Sequence, residues 1–184
     1  MKILYVTSEA VPFCKTGGLA DVAGSLPPAL AEQGAEVAVV LPLYARVRDR
    51  FGSQLKFECY DYVDLAWRHN YCGLFSMEKD GVTWYFLDNE QYFNRSALYG
   101  QSDDGERFAF FSRAVVRMLD HFKFWPEVVH CNDWQSALVP IYLKDDGVRE
   151  ERYRSIKTVV TIHNIEYQGR YNPYVLGELF GLDA

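Results

Sequence analysis

The segment of residues 14–24, "CKTGGLADVAG", places a cation and two adjacent glycines directly after a predicted strand. Lys15, Gly17 and Gly18 stand where the apolar run of residues 3–6 has ended and a helical pattern begins. Glycine lets a backbone approach a ligand closely, and a helix N-terminus offers free amides and partial positive charge. The combination suits a phosphate or diphosphate, and a tight turn beside a surface lysine explains it equally well.

Polar residues also follow three predicted buried strands. They are Glu9 after the first strand, Asn132 and Asp133 after a later one, and His163 and Asn164 after the last. In an open parallel sheet, ligands bind outside the carboxyl ends of the strands, where the strand order reverses. Because the glycine loop shares that edge, we expect these residues and the loop to form one site.

Each of these residues has an alternative explanation without chemistry. Asp133 precedes a predicted helix and is a favourable N-cap residue. His163 is also explained as a hydrogen-bonded core histidine, and His130, inside its strand, is predicted to be one. His69 and His121 are predicted to be surface or packing residues.

Several other chemistries lack their sequence patterns. The chain contains no H-E-x-x-H or D-x-D pattern, so no metal site or cofactor is predicted. It lacks the G-x-S-x-G elbow of many hydrolases. The glycine loop matches neither G-x-x-x-x-G-K-[ST] nor G-x-G-x-x-G.

Composition narrows the class of protein further. A length of 184 residues suits one domain, and the 13 Tyr and 12 Phe suit both core packing and sugar binding. A net charge of −6 without a basic cluster argues against nucleic-acid binding. No apolar run approaches the roughly 20 residues of a membrane span. Four cysteines without a C-x-x-C pair, and no signal or transit peptide, predict reduced thiols in a cytoplasmic protein.

The first third of the chain predicts a βαβ unit of a parallel sheet. A buried strand leads through the glycine loop into a helix that begins near Gly18, and a second buried strand covers residues 36–44. Pro27 and Pro28 are expected to interrupt and kink this helix. Residues 46–56 are predicted to be a polar connecting segment.

The middle of the chain predicts an inserted β-rich region. Residues 57–89 are interpreted as strands, some antiparallel, with Asp80 and Gly81 forming a hairpin turn. Residues 89–105 are a long polar and aromatic loop of the kind that often carries function.

The last third alternates helices and strands. An amphipathic helix is predicted over residues 106–122, with its apolar face formed by Phe108, Phe111, Val115, Met118, Leu119 and Phe122. A short strand precedes Asp133, a helix follows it over residues 133–147, and a buried strand leads to His163. Asp145 and Asp146, before a glycine, are interpreted as a turn. Residues 1–184 are therefore predicted to form one doubly wound, mostly parallel α/β domain with an inserted β-hairpin region.

Three motifs in order carry a resemblance to a known family. "KTGGLADV" after "VTSEAVPF", then "VVHCNDWQSAL" and "TIHNIEYQG", resemble the N-terminal domain of bacterial glycogen synthases and plant starch synthases. These are retaining glucosyltransferases of the two-domain GT-B architecture with Rossmann-like halves. The resemblance extends from residue 2 to about residue 175.

The resemblance implies roles for individual residues. Asp133 would lie near the transfer site and orient hydroxyls, and His163 would hydrogen-bond the donor glucose. Lys15 would contact the donor diphosphate. The donor side would comprise Lys15, Gly17, Gly18, Asp21 and Asn164, and the acceptor side Glu9 and Tyr99.

The resemblance also implies an activity. Glucose would pass from a nucleotide-glucose, with ADP-glucose favoured over UDP-glucose, to the non-reducing end of an α-1,4-glucan with retention. A second domain, expected outside this chain, would carry most of the nucleotide site, so this chain would be inactive by itself. The alternatives are a stand-alone α/β module that binds glucan or nucleotide, and another GT-B enzyme such as a sucrose or trehalose-phosphate synthase. The "KTGGLADV" wording favours the glycogen and starch group.

Overall fold

The computed structural model describes residues 1–182, and of Arg149 it describes only the backbone. Seven strands form a single sheet at its centre. They are β1 Lys2–Val6, β2 Glu36–Pro42, β3 Lys56–Leu65, β4 Arg68–Lys79, β5 Val82–Asp88, β6 Val128–Asn132 and β7 Lys157–Thr161. Their order in the single sheet is β3-β4-β5-β2-β1-β6-β7. The β3, β4 and β5 strands pair antiparallel, and all the other pairs are parallel.

The sheet is wound in both directions from its central strand. On one side β1 pairs with β2 and β2 with β5, whereas on the other side β1 pairs with β6 and β6 with β7. The strand order therefore reverses between β1 and β6, which makes this position a topological switch point. The predicted fold class, a doubly wound and mostly parallel sheet with an inserted antiparallel region, is confirmed.

The described residues contain seven α-helices, of which the first six lie between strands and the last follows β7. They are α1 Gly18–Glu32, α2 Ala45–Phe51, α3 Glu90–Phe93, α4 Asp104–Arg117, α5 Val139–Arg149, α6 Glu151–Arg154 and α7 Val175–Phe180. Short 3₁₀ helices cover Gly52–Gln54, Met118–His121 and Trp134–Ser136. None of the described helices is long and apolar enough to cross a membrane.

The predicted interruption of the first helix at its prolines is wrong, and the predicted connecting segment that follows β2 contains helix. The α1 helix continues through Pro27 and Pro28. Its apolar side is buried, including Leu19 and Ala23, and this packing outweighs the backbone hydrogen bonds that the prolines remove. The segment 46–56 is largely helical, since it contains most of α2 and a 3₁₀ turn.

The aspartates that precede Gly147 do not form a turn. Asp145 and Asp146 lie inside α5, so that prediction is wrong. Asp146 accepts an ion-paired hydrogen bond of 2.8 Å from Arg113 on α4, a contact distant in sequence that favours the helix. The predicted helix 133–147 is divided into the Trp134–Ser136 turn and α5.

The hairpin and the long amphipathic helix are confirmed. Asp80 and Gly81 connect β4 to β5 with φ of 54° and 73°, the signs that a tight hairpin turn requires. Every residue of the predicted apolar face of the helix is buried. Burial also extends round α4 to Phe110 and Arg107, which a one-sided pattern does not predict.

The β7 strand forms a free edge of the sheet in the described structure. It pairs with β6 on one side, and its residues are exposed or half-buried. Val159 and Val160 point to opposite faces, and their exposed fractions are 45% and 48%. Apolar side chains therefore face solvent on both sides of this edge.

Candidate active site

A cavity of about 1120 Å³ opens beyond the carboxyl ends of β1, β6 and β7. Its walls come from the glycine loop, the loop before α4 and the segments after β6 and β7. Of the predicted site residues it is lined by Glu9, Gly17, Gly18, Tyr99, Asp133, His163 and Asn164. Lys15 and Asp21 lie beside it on the glycine loop and α1 and are not among its lining residues.

Asp133 occupies a backbone conformation that favours glycine. Its φ is 57° and its ψ −180°, a region in which other residues cost about 1–3 kcal/mol and which is concentrated at functional sites. Its side chain does not cap the following 3₁₀ turn. Instead, Oδ1 accepts a 2.7 Å hydrogen bond from the backbone amide of His163. The alternative explanation as a helix cap is therefore wrong, and the carboxylate joins the ends of β6 and β7.

Asn132 connects His163 to the sheet. Its Oδ1 accepts from Tyr5 Oη at 2.9 Å and lies 2.9 Å from His163 Nε2. Burial, and then the negative charge of Asp133, raise the pKa of the Tyr5 hydroxyl well above its usual value. His163 is half-buried and lines the cavity, so it is not a fully enclosed core histidine.

His69 and His121 lie at the surface as predicted, whereas His130, predicted to be a core histidine, is half-buried like His163. His130 packs edge-on against Tyr5 and contacts Thr161 Oγ1 at 2.8 Å. Burial, and then the neighbouring His163, lower the pKa of His130. His69 is exposed beside Asp64, and His121 is partly exposed near Asp61.

The carboxylate of Glu9 accepts hydrogen bonds from the glycine loop and fixes its path. The side chain is buried, and its Oε2 accepts from the Thr16 amide at 2.6 Å and from the Thr16 hydroxyl at 2.7 Å. Its Oε1 accepts from the Gly17 amide at 3.2 Å. One carboxylate therefore fixes the loop. The Gly17 amide, predicted to approach a diphosphate, is engaged by Glu9 in this structure.

The cation of the glycine loop is paired. Lys15 Nζ lies 2.7 Å from both carboxylate oxygens of Asp21, one turn into α1. About half of each side chain is exposed, 50% and 57%. An exposed pair contributes roughly 0–1 kcal/mol, so an anionic ligand can compete for the ammonium group.

The loop before α4 brings Tyr99 to the cavity. The Tyr99 hydroxyl is 2.7 Å from Ser8 Oγ. Burial, and then the charge of Glu9, raise the pKa of Tyr99 well above its usual value, so it remains a neutral hydroxyl. The loop is anchored by Asp104, which accepts from the Gly100 amide at 2.7 Å and from the fully buried Arg107 at 2.6 Å.

The segment that follows β7 packs closely on the segment that follows β6. A Cβ on Gly169 would lie 2.7 Å from Cδ2 and 2.9 Å from Cζ3 of Trp134, so only glycine fits against this ring. Tyr171 likewise lies against Gly105 at the start of α4. These contacts hold the residues 163–171 as one wall of the cavity.

Sequence reasoning missed several lining residues. Thr16, Trp134, Gln168, Arg170 and Tyr171 also face the cavity. Trp134, Gln168 and Gly169 belong to the "NDW" and "YQG" segments of the family motifs, and these motifs could have identified them as site residues. No sequence pattern indicated Asp104, which lines the cavity, or Arg107, which pairs with it, because their burial depends on the fold of the preceding loop. No group of metal-ligating side chains occurs in the part of the chain that the structure describes.

This cavity, into which several polar side chains converge, lies at the switch point of a doubly wound sheet, the place where α/β domains of this class bind their ligands. Comparison with known proteins identifies the family of this domain. The chain belongs to the family described as the starch synthase catalytic domain, whose model matches residues 2–184.

Individual relatives agree with this family. The chain is 52% identical over 185 residues to a glycogen synthase of Lactococcus lactis subsp. lactis (strain IL1403), covering 99% of this chain and 39% of that protein. It is 49% identical over 184 residues to one from Clostridium botulinum (strain Eklund 17B / Type B), covering 100% and 38%. The chain thus spans less than half the length of these relatives.

A solved structure has the same fold. The catalytic domain of starch synthase IV from Arabidopsis thaliana, bound to ADP and acarbose, matches 98% of this chain and 37% of its own with a TM-score of 0.84 and 28% identity. The predicted resemblance to glycogen and starch synthases is confirmed.

Proposed function

We propose that the full-length protein carrying this chain transfers glucose from ADP-glucose to the non-reducing end of an α-1,4-glucan with retention of configuration. The observation that carries the proposal is the convergence of Asp133, His163 and the glycine loop on one cavity, in a chain of the starch synthase family. The starch synthase IV neighbour, bound to ADP and acarbose, supports ADP as the nucleotide.

Stabilisation of the leaving group is the task assigned to the glycine loop. As the glucosyl bond breaks, negative charge grows on the diphosphate, and preorganised positive groups lower that barrier. The N-terminal amides of α1 have no partners within the helix, and Gly18 has open space around it. Lys15 would exchange its contact with Asp21 for the diphosphate, and Asp21 would hold it in place until the donor arrives.

The transfer step is assigned to Asp133 and His163. The strained backbone directs the Asp133 carboxylate between the ends of β6 and β7, where it orients hydroxyls of donor or acceptor. His163, with Asn164 beside it, would hydrogen-bond the donor glucose. Positive charge on the transferring sugar would be favoured by the Asp133 carboxylate.

Glu9 and Tyr99 are proposed to shape the acceptor side of the cleft. Because Glu9 is occupied by Thr16 and Gly17, its contribution would be to hold the loop rather than to bind glucan directly. Tyr99 would offer its ring edge and hydroxyl to a sugar. Most of the nucleotide site would lie on a second domain outside residues 1–184, and the four free thiols favour a reducing compartment, the cytoplasm.

Transfer of radiolabelled glucose from ADP-glucose into glycogen tests this function, with UDP-glucose measured in parallel. The full-length protein should label glycogen, and Asp133→Asn should reduce turnover by about 10²-fold or more. Residues 1–184 alone should transfer no glucose, because the diphosphate would lack the second domain. Binding of glucan or nucleotide by the full-length protein without any transfer would favour the stand-alone binding module instead.

A further inference from the structure

Asn132 is a fully buried polar side chain to which the mechanism above gives no task. Its exposed fraction is 1%, and it is the last residue of β6, the strand between β1 and β7. Burial of an amide costs free energy unless all its hydrogen bonds are made. The arrangement around this side chain supplies all four.

The orientation of the Asn132 amide is fixed by its partners. Its Nδ2 donates to the carbonyl oxygens of Val6 at 3.0 Å and His130 at 3.2 Å. Backbone carbonyls only accept hydrogen bonds, so the nitrogen of the amide must face them. The oxygen therefore faces Tyr5 and His163.

This orientation determines where His163 carries its hydrogen. Asn132 Oδ1 is an acceptor only, and it lies 2.9 Å from His163 Nε2. The Nε2 nitrogen must then donate, and in the neutral ring this leaves the lone pair on Nδ1. The hydrogen bond made by one ring nitrogen sets the state of the other.

We propose that Asn132 is a positioning residue that holds neutral His163 in the Nε2–H form, so that Nδ1 is the nitrogen offered to a hydroxyl of the donor sugar. This inference rests on the proposed function for its consequence and on the hydrogen bonds alone for its geometry. His163 then accepts from the sugar hydroxyl and leaves that oxygen's lone pairs free for other donors. An imidazole with the opposite tautomer would lose its bond to Asn132 and present a donor to the sugar.

Tyr5 and His163 both hydrogen-bond Asn132 Oδ1, so removal of the Tyr5 hydroxyl is a matched control for loss of the acceptor of His163. Tyr5 Oη donates to Asn132 Oδ1 at 2.9 Å, yet Tyr5 does not line the cavity. Tyr5→Phe removes this bond and keeps the ring in place. Asn132→Leu has a similar volume and removes the acceptor for His163.

The tautomer is measured directly by ¹⁵N NMR of the imidazole nitrogens in the full-length protein. The spectrum is recorded at a pH at which the ring is neutral, and the His163 signals are assigned by their loss in His163→Gln. We expect the pyridine-type signal on Nδ1 and the protonated signal on Nε2. A pyridine-type signal on Nε2 would overturn the inference, whether or not the protein transfers glucose.

Kinetics test the consequence. Asn132→Leu should lower kcat by on the order of 10- to 100-fold, as loss of a residue that orients a functional histidine does. It should leave the affinity for ADP, which lacks the sugar, within about twofold. Tyr5→Phe should keep the tautomer and lower kcat less than about threefold. Equal losses in the two variants would show a merely structural network and overturn the proposal.

If Asn132→Leu fails to fold, the NMR measurement on the unmodified protein still decides the tautomer. Failure of the proposed function looks different: the unmodified protein would then transfer no glucose from either nucleotide-glucose, while the Nε2–H signal would persist.

Discussion

At the scale of single residues, the strained backbone of Asp133 places its carboxylate against the His163 amide. Glycine adopts a φ of 57° with a ψ of −180° without a clash, whereas alanine retains the strain. Both substitutions remove the hydrogen bond to the His163 amide. We therefore expect Asp133→Gly to be more stable than Asp133→Ala by about 1 kcal/mol or more.

Thermal or denaturant unfolding of the two variants measures this difference, and both should show glucosyl transfer reduced about 10²-fold or more. If Asp133→Ala is as stable as Asp133→Gly, the backbone at this position is not strained. Turnover near that of the unmodified protein in either variant would remove the carboxylate from the mechanism.

Variants of Lys15 and Asp21 distinguish two roles for Lys15, a contact with the donor diphosphate and a surface ion pair with Asp21. Lys15→Gln should raise the KM for ADP-glucose by about 10- to 150-fold, because the diphosphate loses a charged partner worth roughly 1.5–3 kcal/mol. Asp21→Asn removes the competing carboxylate and leaves the lysine, so it should lower that KM or leave it unchanged. Both variants should bind maltooligosaccharide normally.

Separate titrations with ADP-glucose and maltooligosaccharide distinguish the outcomes. A loss of affinity for both ligands in Lys15→Gln would indicate a disturbed loop. An unchanged KM would identify Lys15 as a surface lysine, which was the alternative explanation of the sequence.

The sequence predicted which residue types meet at the cavity, but not how they are used. Asp133 and His163 belong to local motifs that follow strands, so their placement depends mainly on the direction of the strand. The engagement of Glu9 by Thr16 and Gly17 depends on the path of a loop, and no periodic pattern encodes that path. The four hydrogen-bond partners of Asn132 come from β1, β6 and the segment after β7, so a strand-end pattern alone does not predict them.

At the scale of elements, the contact of Gly169 with Trp134 holds the wall that carries His163. Gly169→Ala would place a Cβ against the indole, 2.7 Å from its Cδ2 and closer still to its Cε3, and overpacking of this kind costs about 1–3 kcal/mol. We expect the residues 163–171 to separate from Trp134, with faster amide hydrogen exchange in this segment and at least tenfold slower transfer.

Gly177→Ala is the matched control, because this glycine lies in α7 and its nearest neighbour to an added Cβ is 3.9 Å away. It should leave exchange in residues 163–171 unchanged. Normal exchange and transfer in Gly169→Ala would show that the segment does not depend on this contact.

Errors in the predicted elements have a common physical origin. Glycine or charged residues suggested a turn at 145–147 and a connection at 46–56. In the fold, Asp146 pairs with Arg113, and Val47 is buried in the hydrophobic core, so tertiary contacts stabilise helices that local preference disfavours. Elements with strong periodicity, such as α4 and the strands of the βαβ unit, were predicted correctly.

At the scale of the molecule, strand direction and the switch point followed from the sequence because continuous apolar strands alternate with helices. The free edge at β7 did not. Its two adjacent valines lie in a run that begins at Ile156 and ends at Ile162, and this run predicted a buried strand. In the described structure one edge of β7 has no neighbouring strand, so Val159 and Val160 remain exposed.

This edge predicts the behaviour of residues 1–184 expressed by themselves. An exposed, apolar edge strand offers unpaired backbone groups to a second copy, and lysine on such an edge opposes pairing. We expect the fragment to fold and to self-associate, and Val160→Lys to reduce association at least tenfold in sedimentation velocity measurements. Val148→Lys makes the same substitution at a valine that is 74% exposed on α5, and it should change little. Equal effects of the two lysines would attribute the change to net charge, and a monomeric unmodified fragment at high concentration would show that β7 is not an adhesive edge.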